Sequence, residues 1–470
     1  LIMGLVKDEI PPSKLPEKSP TYLAIAKGEQ FIHTNNCLGC HKIDDQGGAI
    51  YSTKAITFNR VNFTDNQGGD ATYGGGAVAV IYGSASAATM EFNSCVFTDN
   101  IVSGTGASNG GGGAVLGYGS GSGVDVLNMT FTSCTFTGNK TLSSSTSQDG
   151  GAVYANNVGT VTVSKSKFYT NHSYDEGAAM FIKGSTAFNI ENSLFYENTA
   201  SDKATILYYN TTGTIMNTTV ADNTTTSNPG GLFNNETSGN AAEVTVKNSV
   251  FWNNSTYDIN EDSDALITVS YSIVDATGGT DYTDGGNNLT SDPLFTNASS
   301  DDYSLQATSP ATNAGTSTGM PADDINGTAR INPDLGSYIS SCVAPTVDSH
   351  PNDGTDVCVG GTPYDMSAEE DLGTPTITYQ WYDNGTTNSN SGGSAISGET
   401  TGDYTPDVSS AGTTYYYCVM SNACGSVATN AAVQVVNPNP TASAGGALSD
   451  ICQSGTSSAM GGSVGGGATG

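Results

Sequence analysis

Phe131-Thr-Ser-Cys134-Thr-Phe136-Thr-Gly-Asn139, reached from Gly112-Gly113-Ala114 through an apolar strand, is one turn of a phrase that recurs between Gly47 and Tyr338. Its closings are Phe63-Thr-Asp-Asn66, Phe97-Thr-Asp-Asn100, Phe136-Thr-Gly-Asn139, Phe168-Tyr-Thr-Asn171, Phe195-Tyr-Glu-Asn198, Val220-Ala-Asp-Asn223 and Phe251-Trp-Asn-Asn254. Its openings are Gly47-Gly48-Ala49, Gly75-Gly76-Ala77, Gly112-Gly113-Ala114, Gly150-Gly151-Ala152, Gly177-Ala178-Ala179 and Gly230-Gly231-Leu232. Self-similarity at a spacing of roughly 20–50 residues predicts a solenoid of stacked coils. Pairs such as Val161/Val163, Val244/Val246 and Ile267/Val269 alternate with a period of two, so each coil is built from strands.

Aligning the closing strands gives three columns. Phe58, Phe92, Phe131, Val163, Ile190, Ile215, Val246 and Val269 form a large apolar one. Val61, Cys95, Cys134, Ser166, Ser193, Thr218, Ser249 and Ser272 form a small one, and the closing Phe or Val forms the third. In stacked parallel strands each residue meets its counterpart about 4.8 Å along the axis. Like then stacks on like, and the Asn of each closing is expected to form a side-chain ladder that satisfies turn backbone. Cys95 and Cys134 follow one another in one column. A disulfide is open to them, but two small buried thiols is the reading we favour.

Charge bounds the partners. Asp+Glu number 45 against 14 Lys+Arg, for a net charge of −31, and Arg occurs only as Arg60 and Arg330. Nucleic acid and anionic membrane are poor partners for such a chain, because phosphate recognition needs clustered cations. Leu1-Ile-Met-Gly-Leu-Val6 is too short for a signal peptide or a membrane span. Both termini read as cut from a longer protein, so export is an expectation and no membrane insertion is expected within this segment.

Residues 1–46 differ in composition and lead into Asn36-Cys37-Leu38-Gly39-Cys40-His41. Cys-x-x-Cys-His is the attachment signature of c-type haem: Cys37 and Cys40 would bond the vinyl groups and His41 would ligate the iron. The run Lys27–Asp44 resembles the first helix and haem-binding turn of class I cytochrome c domains. That resemblance implies a short helical segment over Tyr22–Ile32 and haem c as cofactor. The rest of such a domain does not follow, since the solenoid begins at Gly47. A genuine but incomplete haem site, a vestigial or artificially joined fragment, and a zinc or disulfide use of Cys37 and Cys40 therefore stay open.

Residues 47–340 resemble right-handed parallel β-helix repeats of secreted bacterial proteins, including the polymorphic outer-membrane family with its Gly-Gly-Ala and Phe-x-x-Asn tetrads. Asp292-Pro-Leu-Phe295, Asp302-Tyr-Ser-Leu305, Asn313-Ala-Gly315, Arg330 and Pro333-Asp-Leu-Gly336 resemble the closing module of choice-of-anchor Q type surface proteins. The resemblance implies a cap over the last coil, which would otherwise expose strand edges.

Residues 341–437 carry Cys358, Tyr379-Gln-Trp-Tyr382 and Gly412-Thr-Thr-Tyr-Tyr-Tyr-Cys418 at the spacing of an immunoglobulin-like sandwich. Cys358 is expected on strand B, Trp381 on C, Cys418 on F, and Tyr416 at the tyrosine corner. The segment resembles Ig-like repeats of proteins secreted by the type IX route, in which the second cysteine often lies in an Asn-x-Cys-Gly phrase, here Asn422-Ala-Cys424-Gly425. Cys358 is then expected to pair with Cys418 or Cys424. A second, truncated repeat occupies 438–470.

Right-handed β-helices also host polysaccharide lyases and hydrolases, which need acids and a basic residue on one face. Lys165, Lys167, Lys183, Asp175, Glu176, Glu191 and Glu197 fall within three rungs, scattered as on a solvated face. Asp324-Ile-Asn326-Gly327 resembles a Ca²⁺ loop only weakly, since the rest of the ligand pattern is lacking, and Ca²⁺ is the second cofactor the chain suggests. His33, His172 and His350 stand in no catalytic pattern. No catalytic residue is assigned. The expected function is adhesion or surface structure on the outside of a Gram-negative bacterium, with cell-surface glycans or proteins as partners. A polysaccharide-active enzyme and an extracellular haem carrier are the alternatives.

Overall fold

In a computed structural model the described residues are 50–442, except 55, 69–73, 84–86, 104–110, 120–126, 143–148, 227–228, 236–241, 262–265, 276–280, 372, 374–375 and 423, together with 464–465. Cys37, Cys40 and His41, the helix expected over Tyr22–Ile32, and most of the second repeat lie outside them. The chain divides into two compact units, Leu1–Leu305 with Ser309–Ser340, and Gln306–Thr308 with Ser341–Gly470.

The first unit is a stack of coils, each contributing one strand to each of several parallel sheets. The first sheet follows the Gly-Gly-Ala openings and runs through eight strands from Ile50–Ser52 to Ile259–Glu261. The second holds nine, from Thr57–Asn59 to Thr283–Asp284, and the third holds eight, from Asn62–Thr64 to Ile273–Val274. A fourth is made of two-residue strands such as Ile101–Val102 and His172–Ser173. Registers reproduce the expected columns: Phe92 pairs with Phe131, Phe131 with Val163, and Phe97 with Phe136. Rings of the third column stack nearly parallel, Phe97 on Phe136 and Phe136 on Phe168 each at 4.5 Å between centroids. Cys95 and Cys134 are free, buried thiols, as favoured.

The closing phrase is explained by its corner. The residue before each ladder Asn holds a left-handed backbone, with φ of 54° at Asp65, 52° at Asp99, 65° at Gly138 and 55° at Asp222. Asp, Asn and Gly adopt that conformation most readily. The chain then turns and presents the Asn inward. Nδ2 of Asn66, Asn100, Asn139, Asn171, Asn198 and Asn223 donates to Oδ1 of the next Asn at 2.7–2.9 Å. The openings are glycine because coils approach closely there: a Cβ on Gly113 would lie 1.8 Å from the Gly151 carbonyl oxygen.

The ladder ends on a residue the repeat does not announce. Asp258 Oδ1 accepts Asn254 Nδ2 at 2.7 Å and its backbone N–H at 3.1 Å, while Oδ2 accepts the Asp275 N–H at 2.7 Å. Burial raises this carboxyl from 3.8 to about 7, against the pull of those donors. Between about pH 4 and pH 7 the native state therefore holds a proton that the unfolded chain releases, and stability falls as pH rises through that window. Asp258→Asn should remove this slope. Unfolding free energies of parent and variant from urea titrations, compared at both ends of the window, should change relative to each other by roughly 2–4 kcal/mol. A constant offset would assign the pH dependence elsewhere.

The segment after the last coil is not an end cap. The end is closed by Thr283–Asp284, which adds to the second sheet, by Leu289, which bridges to Ile273, and by Tyr282, which packs on the core. The segment from Phe295 to Ser340 instead lies along the outer face of the third sheet. There Tyr303 and Ile325 cover Leu194, Tyr196 and Ala221, and Leu305, Ala311 and Leu335 cover Val250 and Ile273. The physical reason is in the strands. Outward positions of this sheet are Asn62, Thr64, Thr135 and Thr137 in early coils but Leu194, Tyr196, Val250 and Trp252 in late ones. Apolar outward positions need a cover.

The second unit is a sandwich. Gly412–Asn422 pairs with Thr378–Asp383 on one side and Ala432–Asn437 on the other, and Val357–Cys358 adds in parallel to Ala432–Asn437. Met366–Ser367 with Asp403–Tyr404, and Val347–Ser349 with Glu369–Glu370, form two further pairings. Trp381 is fully buried opposite Cys418, and its Nε1 donates to the Thr401 carbonyl at 2.9 Å. The expected cysteine pairing is corrected. Cys424 bonds Cys342, and Cys418 is a free thiol that burial raises to about 11. Cys358 lies beside the last strand rather than on the one facing Cys418, and its disulfide partner lies outside the described residues. Met366 and Ala368 pack with Cys418 in the core, where a second cysteine was expected.

Candidate functional site

The charged residues that fall within three rungs of the sequence repeat are separated by the coil. Lys165 and Lys167 reach the segment beside the third sheet: Lys165 Nζ bonds Asp323 Oδ2 at 2.6 Å, and Lys167 Nζ lies 5.7 Å from the Tyr338 ring centre. Glu191 accepts Ser164 Oγ at 3.0 Å on the second sheet. Burial first, then Asp301 and Asp222, raises Glu197 beside the third sheet. Lys183 lies over Tyr209 on the first sheet. His172 contacts Thr199 Oγ1 at 2.9 Å, and His350 Nδ1 accepts the Asn430 N–H at 2.9 Å. Asp324 Oδ1 accepts the N–H groups of Asn326 and Thr328 at 2.9 and 2.8 Å, so the Ca²⁺-like fragment is a backbone turn held by its own carboxylate. Among the described residues no group of three or more His, Cys, Asp or Glu is placed to hold a metal ion.

One cluster does form, at the openings. Asp149, Glu176 and Lys203 occupy successive coils just before the residues that enter the first sheet, as the bonds Gly150 N–H to Glu176 O and Gly177 N–H to Lys203 O show. Lys203 Nζ bonds Glu176 at 3.0 Å and stands 4.0 Å from Asp202. Burial alone would lower the Lys203 amine, but Glu176, Asp202 and Asp175 turn the net shift upward. Among the described residues Asp149 makes no ion pair, although Lys183 pulls it down. It is 7% exposed, its Oδ1 has no hydrogen-bond partner among the described residues, and burial, then Glu176 and Asp175, raise it well above the usual carboxylate value. Tyr154, also buried, is pushed up by desolvation and then by Asp149. A buried acid raised by desolvation beside an ion-paired carboxylate is an arrangement that acid–base catalysis uses. The sequence reading missed Asp149; the signal is an acid directly before the opening, in both Asp149-Gly150-Gly151 and Glu176-Gly177-Ala178.

The outer faces differ sharply. On the first sheet the outward column Ala79, Leu116, Tyr154, Phe181, Leu207, Phe233 is at most 7% exposed. The third is covered in its late coils. The second is open along its length. Its central outward column runs in register through Thr57, Glu91, Thr130, Thr162, Asn189, Thr214, Thr245, Thr268 and Thr283, none of them buried. A flanking column carries Asn59, Asn93, Thr132, Ser164, Glu191, Met216 and Lys247.

With this geometry in place, the comparisons fall on the same two units. Residues 49–244 match the family model of the right-handed β-helix region, and residues 349–438 match a domain of unknown function, DUF8696. No curated protein matches the chain. The class is therefore an all-β protein with a right-handed parallel β-helix, followed by antiparallel sheets packed as a sandwich. Among the described residues no helix is long and apolar enough to cross a membrane.

Proposed function

We propose that this chain is an exported surface protein of a Gram-negative bacterium, an adhesin or structural surface scaffold whose partners are cell-surface glycans or proteins. One observation carries the reading: the lysines of the middle coils are engaged in contacts that hold the coils and their cover together, Lys165 with Asp323, Lys203 with Glu176, Lys167 over Tyr338 and Lys183 over Tyr209. The acidic surface disfavours nucleic acid. The likeness of residues 292–336 to choice-of-anchor modules, and of the sandwich to type IX Ig-like repeats, supports the same location. Beads coated with the protein should adhere to cells or glycan-coated surfaces more than beads coated with an unrelated acidic protein. Equal adherence would sink the proposal.

A second reading, a polysaccharide lyase or hydrolase, is favoured by Asp149 beside Glu176 and Tyr154. Release of new reducing ends or unsaturated product from a polysaccharide panel, with and without Ca²⁺, and its loss in Asp149→Asn, would establish it. Haem at Cys37, Cys40 and His41 would make the chain an extracellular electron carrier; a pyridine haemochrome spectrum of protein made with a cytochrome c maturation system decides that question.

A further inference from the structure

We propose that the open face of the second sheet is a binding surface for neutral, extended polysaccharide lying along the coil axis; this rests on the adhesin reading. The central outward column of the first sheet is buried from Ala79 to Phe233, the third sheet is covered in its late coils by the segment ending at Ser340, and the fourth sheet has only two-residue strands. Among the described residues nothing covers the nine in-register strands of this face.

Its chemistry then selects the partner. Threonine dominates the central column, so a hydroxyl able to donate and accept, with a methyl beside it, repeats about every 4.8 Å along the axis. Hydrogen bonds already run along the columns: Thr214 Oγ1 donates to Asn189 Oδ1 at 2.9 Å, and Asn93 Nδ2 to Asn59 Oδ1 at 3.1 Å. A polymer of sugar rings laid parallel to the axis meets the same donors and acceptors at each step. A peptide strand would need a sheet edge rather than a face, and a folded protein would need apolar anchors, of which this face has only Met216 and Leu266. Acidic chains are disfavoured, since Glu91, Glu191 and Glu243 face Lys247 alone and the whole chain carries −31. No aromatic platform is present in these columns, so each sugar binds weakly and length supplies the affinity.

The full chain should be retained by suspensions of at least one of cellulose, a β-1,3-glucan and chitin, and not by immobilised polygalacturonate. Short oligosaccharides should compete poorly. The triple variant Thr162→Val, Thr214→Val, Thr245→Val keeps strand propensity and shape while removing three hydroxyls, and should lose at least tenfold in retention with an unchanged urea midpoint. The variant Thr98→Val, Thr137→Val on the third sheet should bind as the parent does. Retention of the triple variant, equal binding to polygalacturonate, or no retention on any neutral polymer overturns the inference. If coated beads still adhere to cells in those cases, the adhesin reading stands and only this face is wrong.

Discussion

Asn171→Ala should cost roughly 4–6 kcal/mol, because it breaks a ladder from both sides. Asn171 Nδ2 donates to Asn198 Oδ1 at 2.9 Å and to the Phe136 carbonyl at 3.0 Å. Its Oδ1 accepts Asn139 Nδ2 at 2.9 Å and the Asn139 N–H at 3.1 Å. Alanine leaves the Asn139 N–H buried without an acceptor, at about 1–3 kcal/mol, and takes one bond each from Asn139 Nδ2, Asn198 Oδ1 and the Phe136 carbonyl, at about 1 kcal/mol apiece. A repeat stack transmits such damage to neighbours rather than to the whole. Hydrogen exchange should therefore rise first at the amides of Asn139 and Asn171 and at the strands Thr135–Thr137 and Lys167–Tyr169, with the core of the sandwich unchanged. Thr137→Ala, on the outward side of the same sheet, should stay within about 0.5 kcal/mol. A loss below about 1 kcal/mol for Asn171→Ala would show that water or backbone relaxation satisfies the corner and that the ladder is ornamental.

The same residues show how much could be read in advance. Stacking makes every coil a copy of the last, so Phe92, Phe131 and Val163, or Asn139 and Asn171, announce their own register by repetition. What repetition does not announce is what differs between coils. The outward flanks of the third sheet change from Thr135 and Thr137 to Leu194, Tyr196 and Trp252, and that change is why the segment after the last coil folds back along the side. An alignment that follows only the inward column cannot see it. Asp258 was hidden for a similar reason: it comes from a turn outside the period yet ends the ladder. In the sandwich, the spacing of Trp381 and Cys418 placed both strands correctly. Cysteine spacing did not fix the pairing, because a cysteine's partner depends on which strand faces it across the core, and there the facing residues are Met366 and Ala368. Asp149 was legible as an acid before an opening, but its isolation follows from where Lys203 stands, one coil beyond Glu176.

Arg330→Met is expected to release the segment that covers the third sheet, at a cost of about 3–5 kcal/mol. Arg330 is 6% exposed. Its Nη2 donates to Asn192 Oδ1 at 3.1 Å and to the Gly336 carbonyl at 2.8 Å, and Nη1 and Nε reach the carbonyls of Asp334 and Asp323 at 3.3 Å. Burial lowers the guanidinium to about 10 while Asp324, Asp334 and Asp323 oppose the shift, so it stays charged at neutral pH. One side chain thus ties two stretches of the segment to a coil corner, where Asn192 also donates to the Asp323 carbonyl at 2.6 Å. Methionine fills much of the volume but satisfies none of those acceptors. Lifting the segment would expose Trp252, Tyr196 and Ala221. Acrylamide quenching should then increase in a Trp381→Phe background, which leaves Trp252 as the single tryptophan, and proteolysis should cut between 289 and 340. The exposed pair Lys165–Asp323 gives the contrast. Its side chains are 25% and 34% accessible, so Lys165→Met should cost no more than about 1 kcal/mol and leave quenching unchanged. If the two variants were equally damaging, net attraction between a basic coil and an acidic segment would be holding the cover in place. If only Arg330→Met opens it, the fork of hydrogen bonds is the clasp.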